Sequence, residues 1–313
     1  MCGLRLLSIT LLGLVVALVA QPRGATAVEG GGGNYIAGLY GDFAVAVDPG
    51  PGVYLRNNLY FYSGETSRTA LQGRVRAGVE ANMLLEYPTV LWVTDLKVLG
   101  ARYGMGIGVP LLYVDLSASV AAGPFGFATS GNRFDIGDIY LIPVSLYWNA
   151  GNFHINFYQG IVAPTGAYDV NRLVNTGLNY WSFDSVLAVT YLNPKSGLEL
   201  SAAFGYIYNT ENHATNYKSG QEIHLDYMLN QYLSDRFAIG VHGFYYKQIS
   251  GDSGSGAVLG PFKGEAAGIG PAILWTPKIP GAKVTFIAKW LHEFHARRRL
   301  KGNHFLVSAV FKF

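Results

Sequence analysis

The 313-residue chain has a single cysteine, Cys2, so it has no internal disulfide and lacks the paired-cysteine pattern of a structural metal site. Charge is scarce as well. Charged residues make up 14% of the chain, where an ordinary soluble domain carries roughly a quarter, and 17 Phe, 21 Tyr and 5 Trp are as numerous as all the charges together. The formal net charge is +3, and the one basic run spans Arg297 to Lys301, which excludes a nucleic-acid binder with its many phosphate contacts. The 40 glycines follow no Gly-X-Y period, which excludes collagen, and 50% hydrophobic residues exclude a disordered chain. Beyond the first thirty residues no apolar run is long enough for a spanning helix. The best stretches, 105–114 and 136–148, are short and interrupted by Gly, Pro or Asp. A mature chain of this kind enters a membrane only as a closed barrel, which satisfies every backbone group in lipid.

The first thirty residues carry one cation before the apolar run, Arg5, then Leu6 to Ala20, then Ala25-Thr26-Ala27 as a small-x-small cleavage site. This reads as an export signal over 1–27, with Ser8, Thr10, Gln21 and Pro22 leaving the run too short for a spanning anchor. Cys2 precedes the run, whereas a lipoprotein cysteine follows it. The expected mature chain therefore contains no cysteine.

Period-two alternation dominates the remainder: Val75, Ala77, Val79, Ala81, Met83 and Leu85 against Arg74, Arg76, Glu80 and Asn82, for example. Phe305, Val307, Ala309, Phe311 and Phe313 repeat it at the C-terminus. Strands are expected near 52–63, 72–86, 102–121, 135–148, 151–162, 182–193, 197–208, 219–232, 235–248, 264–276, 282–293 and 302–313. A soluble sandwich also alternates; short connections on one rim and long loops on the other distinguish the barrel. The expectation is an all-β fold, a transmembrane antiparallel up-and-down barrel of about 12 strands over 52–313. The segment 87–100 breaks the alternation of turn lengths, and as an extra hairpin it would make 14. The Gly-rich stretch 28–51 is left as either a periplasmic tail or a plug of the lumen.

Aromatics near strand ends, such as Tyr147, Trp148, Tyr180, Trp181, Trp275 and Trp290, fit the two girdles of a bilayer-spanning barrel. The terminal Phe313 resembles the signal read by the barrel assembly machinery. Six strings in order resemble the family named for the meta-pathway of phenol degradation: 49–55 (PGPGVYL), 99–103 (LGARY), 164–169 (PTGAYD), 179–183 (NYWSF), Glu211-Asn212 with 217–226 (YKSGQEIHLD), and 268–271 (GIGP). The resemblance implies an outer-membrane barrel of a Gram-negative bacterium linked to uptake of aromatic or other hydrophobic compounds. It supplies no catalytic residue.

Enzyme motifs are weak. Gly251-Asp252-Ser253-Gly254 matches a protease nucleophile string but sits in a Gly/Ser-rich loop without a triad around it. His292-Glu293-Phe294-His295 is one residue short of H-E-x-x-H, and strand parity puts its histidines on opposite faces. No phosphate-binding glycine loop occurs. No enzyme activity, cofactor or metal is expected. With apolar faces outward, the expected lumen or substrate path is lined by Arg56, Asn58, Arg76, Glu80, Asn82, His154, Asn156, Glu222, His224, Asp226, His242 and Lys289. These residues form either a salt-bridge lattice or a path for solute. The first functional reading is a channel in outer-membrane lipid for passive uptake of small hydrophobic or aromatic compounds. The alternatives are a plugged structural barrel and, third, a membrane-embedded hydrolase.

Overall fold

The computed structural model describes residues 33–70, 75–122, 125–258, 260–281 and 283–313. Its regular elements are strands: β1 (Gly52–Ala70), β2 (Val75–Val98), β3 (Ala101–Gly108), β4 (Leu111–Ala122), β5 (Phe125–Ile136), β6 (Ile139–Ala150), β7 (Phe153–Ala163), β8 (Ser182–Asn193), β9 (Leu198–Asn209), β10 (Glu211–Asn212), β11 (Tyr217–Lys218), β12 (Glu222–Ser234), β13 (Phe237–Gln248), β14 (Glu265–Trp275), β15 (Val284–Arg297) and β16 (Lys301–Lys312). Twelve of them close a ring in the order β1, β2, β3, β6, β7, β8, β9, β12, β13, β14, β15, β16 and back to β1, every pairing antiparallel. Closure leaves the ring without an edge, the condition for a sheet to cross lipid. Strands β10 and β11 form a small ladder within one long loop.

The remaining two strands form a hairpin at 111–136, inside what the alternation predicts as one strand over 102–121 and a loop after it. The break falls at Val109-Pro110. Their backbones bond Pro88 and Gly137, Val109 N donating to Pro88 O at 3.0 Å and Gly137 N to Pro110 O at 2.8 Å, and proline has no N–H with which to continue the ladder. Segment 87–100 is not an extra hairpin. It is the second half of the 24-residue β2 with the turn that follows; the first half of β2 pairs with β4 and the second half with β3. Strand β4 extends the sheet from β2, and β5 pairs with β4 alone.

Chain termini of the ring and the tight turns share one rim. There Leu99 and Gly100 both take positive φ (53° and 77°), the pair of left-handed residues that a two-residue hairpin turn with the right twist requires. The opposite rim carries the long connections 164–181, 210–221 and 249–264 and the β4–β5 hairpin. Outward residues are apolar around the ring: Phe61, Leu187, Phe204, Leu229, Val241, Ile273 and Phe305 are all exposed. They form the lipid-facing band.

One face assignment is reversed. On β2 it is Ala81 and Leu85 that are buried, whereas Leu84 and Glu80 are exposed and Asn82 stands on the same outer side as Leu84. Glu80 and Asn82 therefore leave the lumen set, and Val79 shares the inner face with Ala81. The register explains it, because Tyr60 lies opposite Leu85 and both pack inside with Leu306, Met83, Ile36 and Leu39. The interior is apolar on this side, so the rule that apolar faces point outward inverts. The side chain of Arg76, and Arg74 altogether, lie outside the described residues.

Depth then separates two outward positions. Leu187, in the middle of β8 between Phe157 and Phe204, faces mid-bilayer, and Leu187→Arg is expected to cost about 2–4 kcal/mol of folding stability. Asn82, opposite Asp115 near the loop-side interface, is expected to accept arginine for about 0–1 kcal/mol. Unfolding in lipid vesicles measures both, and equal costs would contradict the assigned depths.

Candidate functional site: the occupied lumen and its loop-side pocket

Residues 33–48 run through the barrel interior from the loop rim to the turn rim before the chain enters β1. At the loop end Asn34 Nδ2 donates to Ser182 Oγ (2.6 Å). Tyr35 Oη donates to Asp226 Oδ2 (2.9 Å), and Gly38 N donates to the other oxygen of that carboxylate (3.2 Å). Farther down, Ala44 N donates to Glu199 Oε1 (2.8 Å) and Ala46 N to Thr190 Oγ1 (3.1 Å). Arg102 holds Asp48 at 2.7 Å beside the turn rim. These backbone groups are donors that no strand satisfies, so wall side chains take them up. Gly38 has φ +81°, and a Cβ there would meet Leu291 Cδ1 at 2.7 Å, so the chain turns where only glycine fits.

Aromatic and apolar contacts complete the fit. His224 lies between Tyr35 and Tyr40, with ring centroids 4.6 and 4.2 Å away, and reaches Asp184 at 3.2 Å and Asp226 at 3.8 Å. Phe43 packs with Ala238, Ala272 and Ile287, and Ala46 with Val186, Ala188 and Ala203. The charge centre is Asp42, which meets Arg56 at 2.5 Å and Lys289 at 3.8 Å. Lys289 also donates to the carbonyls of Gly38 (2.8 Å) and Gly41.

Above the segment, on the loop side, lies a pocket of about 490 Å³. One wall is apolar: Met83, Leu112 and Val114 face Val162, Leu173 and Leu178. Beside Met83, its register partner Tyr62 with Tyr60, Glu293, Arg299 and His304 adds polar groups, and Ile36 of the segment contributes to the lining. Most of its polar groups are mutually engaged, but Arg299 forms no ion pair among the described residues and its Nη1 is buried without a hydrogen-bond partner. Tyr60 Oη and His304 Nδ1 are 2.5 Å apart, His304 Nε2 lies 3.2 Å from Glu293 Oε1, and Gly302 N donates to Glu293 Oε2 at 2.6 Å. Arg299 stacks over the Tyr246 ring at 4.2 Å. The connection 164–178 that roofs the pocket is tied down by Asp138, which accepts from Gly166 N (2.8 Å) and Leu178 N (2.7 Å). Burial raises the Asp138 carboxyl, and those backbone donors offset part of that rise. Among the described residues no group of three His, Cys, Asp or Glu is placed to hold a metal.

Of the residues picked out in the sequence, Arg56, Asn58, Asn156, Glu222, His224, Asp226, His242 and Lys289 stand inside the ring. Most of them serve the segment or the wall. Glu222 accepts from Asn209 Nδ2 (2.7 Å), His242 bonds Asn230 (2.9 Å) and touches the Phe43 ring, and Asn156 bonds Ser145 and the Leu146 carbonyl. His154, half-buried near the turn rim, bonds Asn149 at 2.7 Å. Sequence parity missed Asp42, Tyr35 and Tyr40, since a Gly-rich stretch has no strand period, and it missed the pocket residues Glu293 and Arg299. Asp252 of the protease-like string braces its loop, accepting from Tyr217 Oη (2.7 Å), Gly220 N and Gln248. His292 and His295 are both exposed, not on opposite faces, because of the irregularity opposite Ala267 and Gly268; they bond Asn303 and approach Glu265 separately.

The fold matches solved outer-membrane proteins. A COG4313 outer membrane channel from Pseudomonas putida F1 aligns with a TM-score of 0.61 at 14% identity, covering 86% of this chain and 98% of that one. A Pseudomonas aeruginosa FadL homologue aligns more loosely, with a TM-score of 0.40 at 9% identity over 84% of this chain and 89% of that one. None of the curated protein sequences matches the chain. The model of the family described as the putative MetA-pathway of phenol degradation matches residues 62–309, most of the sequence, and the chain belongs to that family.

Proposed function

We propose that the barrel is a channel for passive uptake of small, neutral, hydrophobic molecules, aromatic ones among them. The observation that carries this reading is the loop-side pocket: an apolar cavity of about 490 Å³, inside a wall that otherwise encloses paired charges. Its volume suits one small ligand. Most of the lining is apolar, and Arg299 is its one cation without an ion pair among the described residues, so an ionic passenger would be desolvated with a single partner to gain, while an apolar ring would lose little. Below the pocket the path along the axis is filled by residues 33–48, and passage requires that segment to move. Its contacts are hydrogen bonds, ring stacks and ion pairs, all reversible, and no covalent bond retains it. The same filling supports a second reading, a permanently plugged structural barrel without transport.

Solute flux into proteoliposomes separates the two. The full-length barrel is expected to pass a neutral monoaromatic roughly tenfold faster than the corresponding carboxylate. Flux no greater than in protein-free vesicles, with the barrel shown to be folded, supports the plugged reading.

The closure has its own test. Ala46 is fully buried, and the mature sequence expected here has no cysteine, so Ala46→Cys reports segment release through maleimide labelling. Asp42→Ala leaves Lys289 buried without its carboxylate, which costs about 3–5 kcal/mol and should speed labelling by roughly two to four orders of magnitude. Protonation removes the Asp42 charge that Arg56 and Lys289 face, so the closure weakens at acid pH. Labelling of Ala46→Cys alone should therefore rise on acidification below about pH 4. Labelling independent of both Asp42 and pH would contradict the charge-held closure.

A further inference from the structure

The outer wall formed by β13 to β16 carries a feature that the lumen does not explain. Proline stands in the middle of β14, at Pro271, although it cannot donate to the ladder and is normally confined to edges and bulges. The β14–β15 register accordingly skips from Ile269 opposite His292 to Ala272 opposite Lys289. Small and cyclic side chains at Pro271 and Ala288 leave a groove of about 880 Å³ on the lipid-facing surface, bordered by Ile273, Val241, Trp290 and Val307. Trp290 stacks on Phe305 at its loop-side end, with ring centroids 6.2 Å apart and planes 10° from parallel.

Directly toward the loop rim from this groove the same outer face becomes cationic. Lys247, Arg297 and Lys301 are all exposed, and none forms an ion pair among the described residues. Two carboxylates share the row with these three cations: Glu265 lies opposite both Lys247 and Arg297, but it accepts from Tyr245 Oη at 2.9 Å and approaches His295 at 3.9 Å. Glu65 lies opposite Lys301 on β1. Facing Ala267 and Gly268, β15 holds one residue too many, Phe294, and beyond that irregularity both His295 and Arg297 are exposed. Lys301 and Phe305 are four residues apart on β16, about 13 Å along the strand, a span suited to a headgroup and the start of its chains.

We propose that this wall is a docking site for lipopolysaccharide of the outer leaflet, its phosphates held by Lys247, Arg297 and Lys301 and an acyl chain seated in the groove over Pro271 and Ala288. Charge complementarity selects the occupant. The cations face outward, at the loop side, above an apolar band, so a partner must bring phosphate and hydrocarbon together in that order. An uncharged lipid satisfies only the groove, and a soluble anion satisfies only the rim.

The test titrates fluorescent lipopolysaccharide into the full-length barrel in a neutral detergent. Folding of each variant is checked by heat-modifiable electrophoretic mobility. The triple variant K247Q/R297Q/K301Q should weaken binding at least roughly tenfold and flatten its salt dependence. Ala288→Trp, which fills the groove without touching a charge, should also weaken it, and Lys278→Gln near the turn rim should leave it unchanged. Lipid with its phosphates removed should bind the wild-type barrel no better than lipopolysaccharide binds the triple variant. Equal binding by the wild type and the triple variant, or by phosphate-free lipid, would overturn the site. Phosphatidylglycerol competing as well as lipopolysaccharide would overturn its assignment to that lipid.

Discussion

A charge placed inside a closed barrel in lipid must find a partner inside the same ring or stay hydrated, and this constraint organises the protein. The ring satisfies its own backbone through twelve antiparallel ladders, but its inward polar side chains exceed what neighbouring strands can pair. The surplus is met by the chain's own N-terminal stretch. Asp226 accepts from Tyr35 and Gly38, Glu199 and Thr190 accept the backbone of Ala44 and Ala46, and Lys289 is enclosed by Asp42 and two carbonyls. Lattice and filling are thus one object.

That dependence sets the division between the two halves of the lumen. Where the segment carries polar groups, the wall answers with Arg56, Asp226 and Lys289. Where it carries Ile36 and Leu39, the wall answers with Leu85, Met83 and Leu112, and the apolar pocket opens beside them. A cavity lined mainly by such side chains binds chiefly by removing apolar area from water, on the order of 25 cal/mol per Å² buried.

Most of the ring was legible from period two and from turn chemistry: β6 to β9 and β12 to β16 lie close to where alternation and turn residues place them. What was not legible shares one cause. Alternation reports that a strand has two unlike faces but not which of them is inside, and on β2 the interior is the apolar one, so Glu80 and Asn82 stand outside although their polarity points inward. The β4–β5 hairpin escaped because β4 continues the alternation of β3 past Pro110, so the two read as one strand. Among candidate lumen residues, His224, Asp226, Glu222 and Lys289 were found by parity, yet their partners were not, since Tyr35, Tyr40 and Asp42 lie in a glycine-rich stretch with no period. The pairing of a wall with a non-repeating segment is a tertiary property.

The central claim is that residues 33–48 close the axial path and must move for solute to pass. Ala46 packs against Ala188 on β8, so cysteines at these two positions would tether the segment to the wall. The decisive measurement is aromatic-solute flux through that double variant in liposomes, oxidised and then reduced. The account predicts that oxidation abolishes flux and that reduction restores it. Flux unchanged by a completed cross-link would show that solute does not travel past this segment.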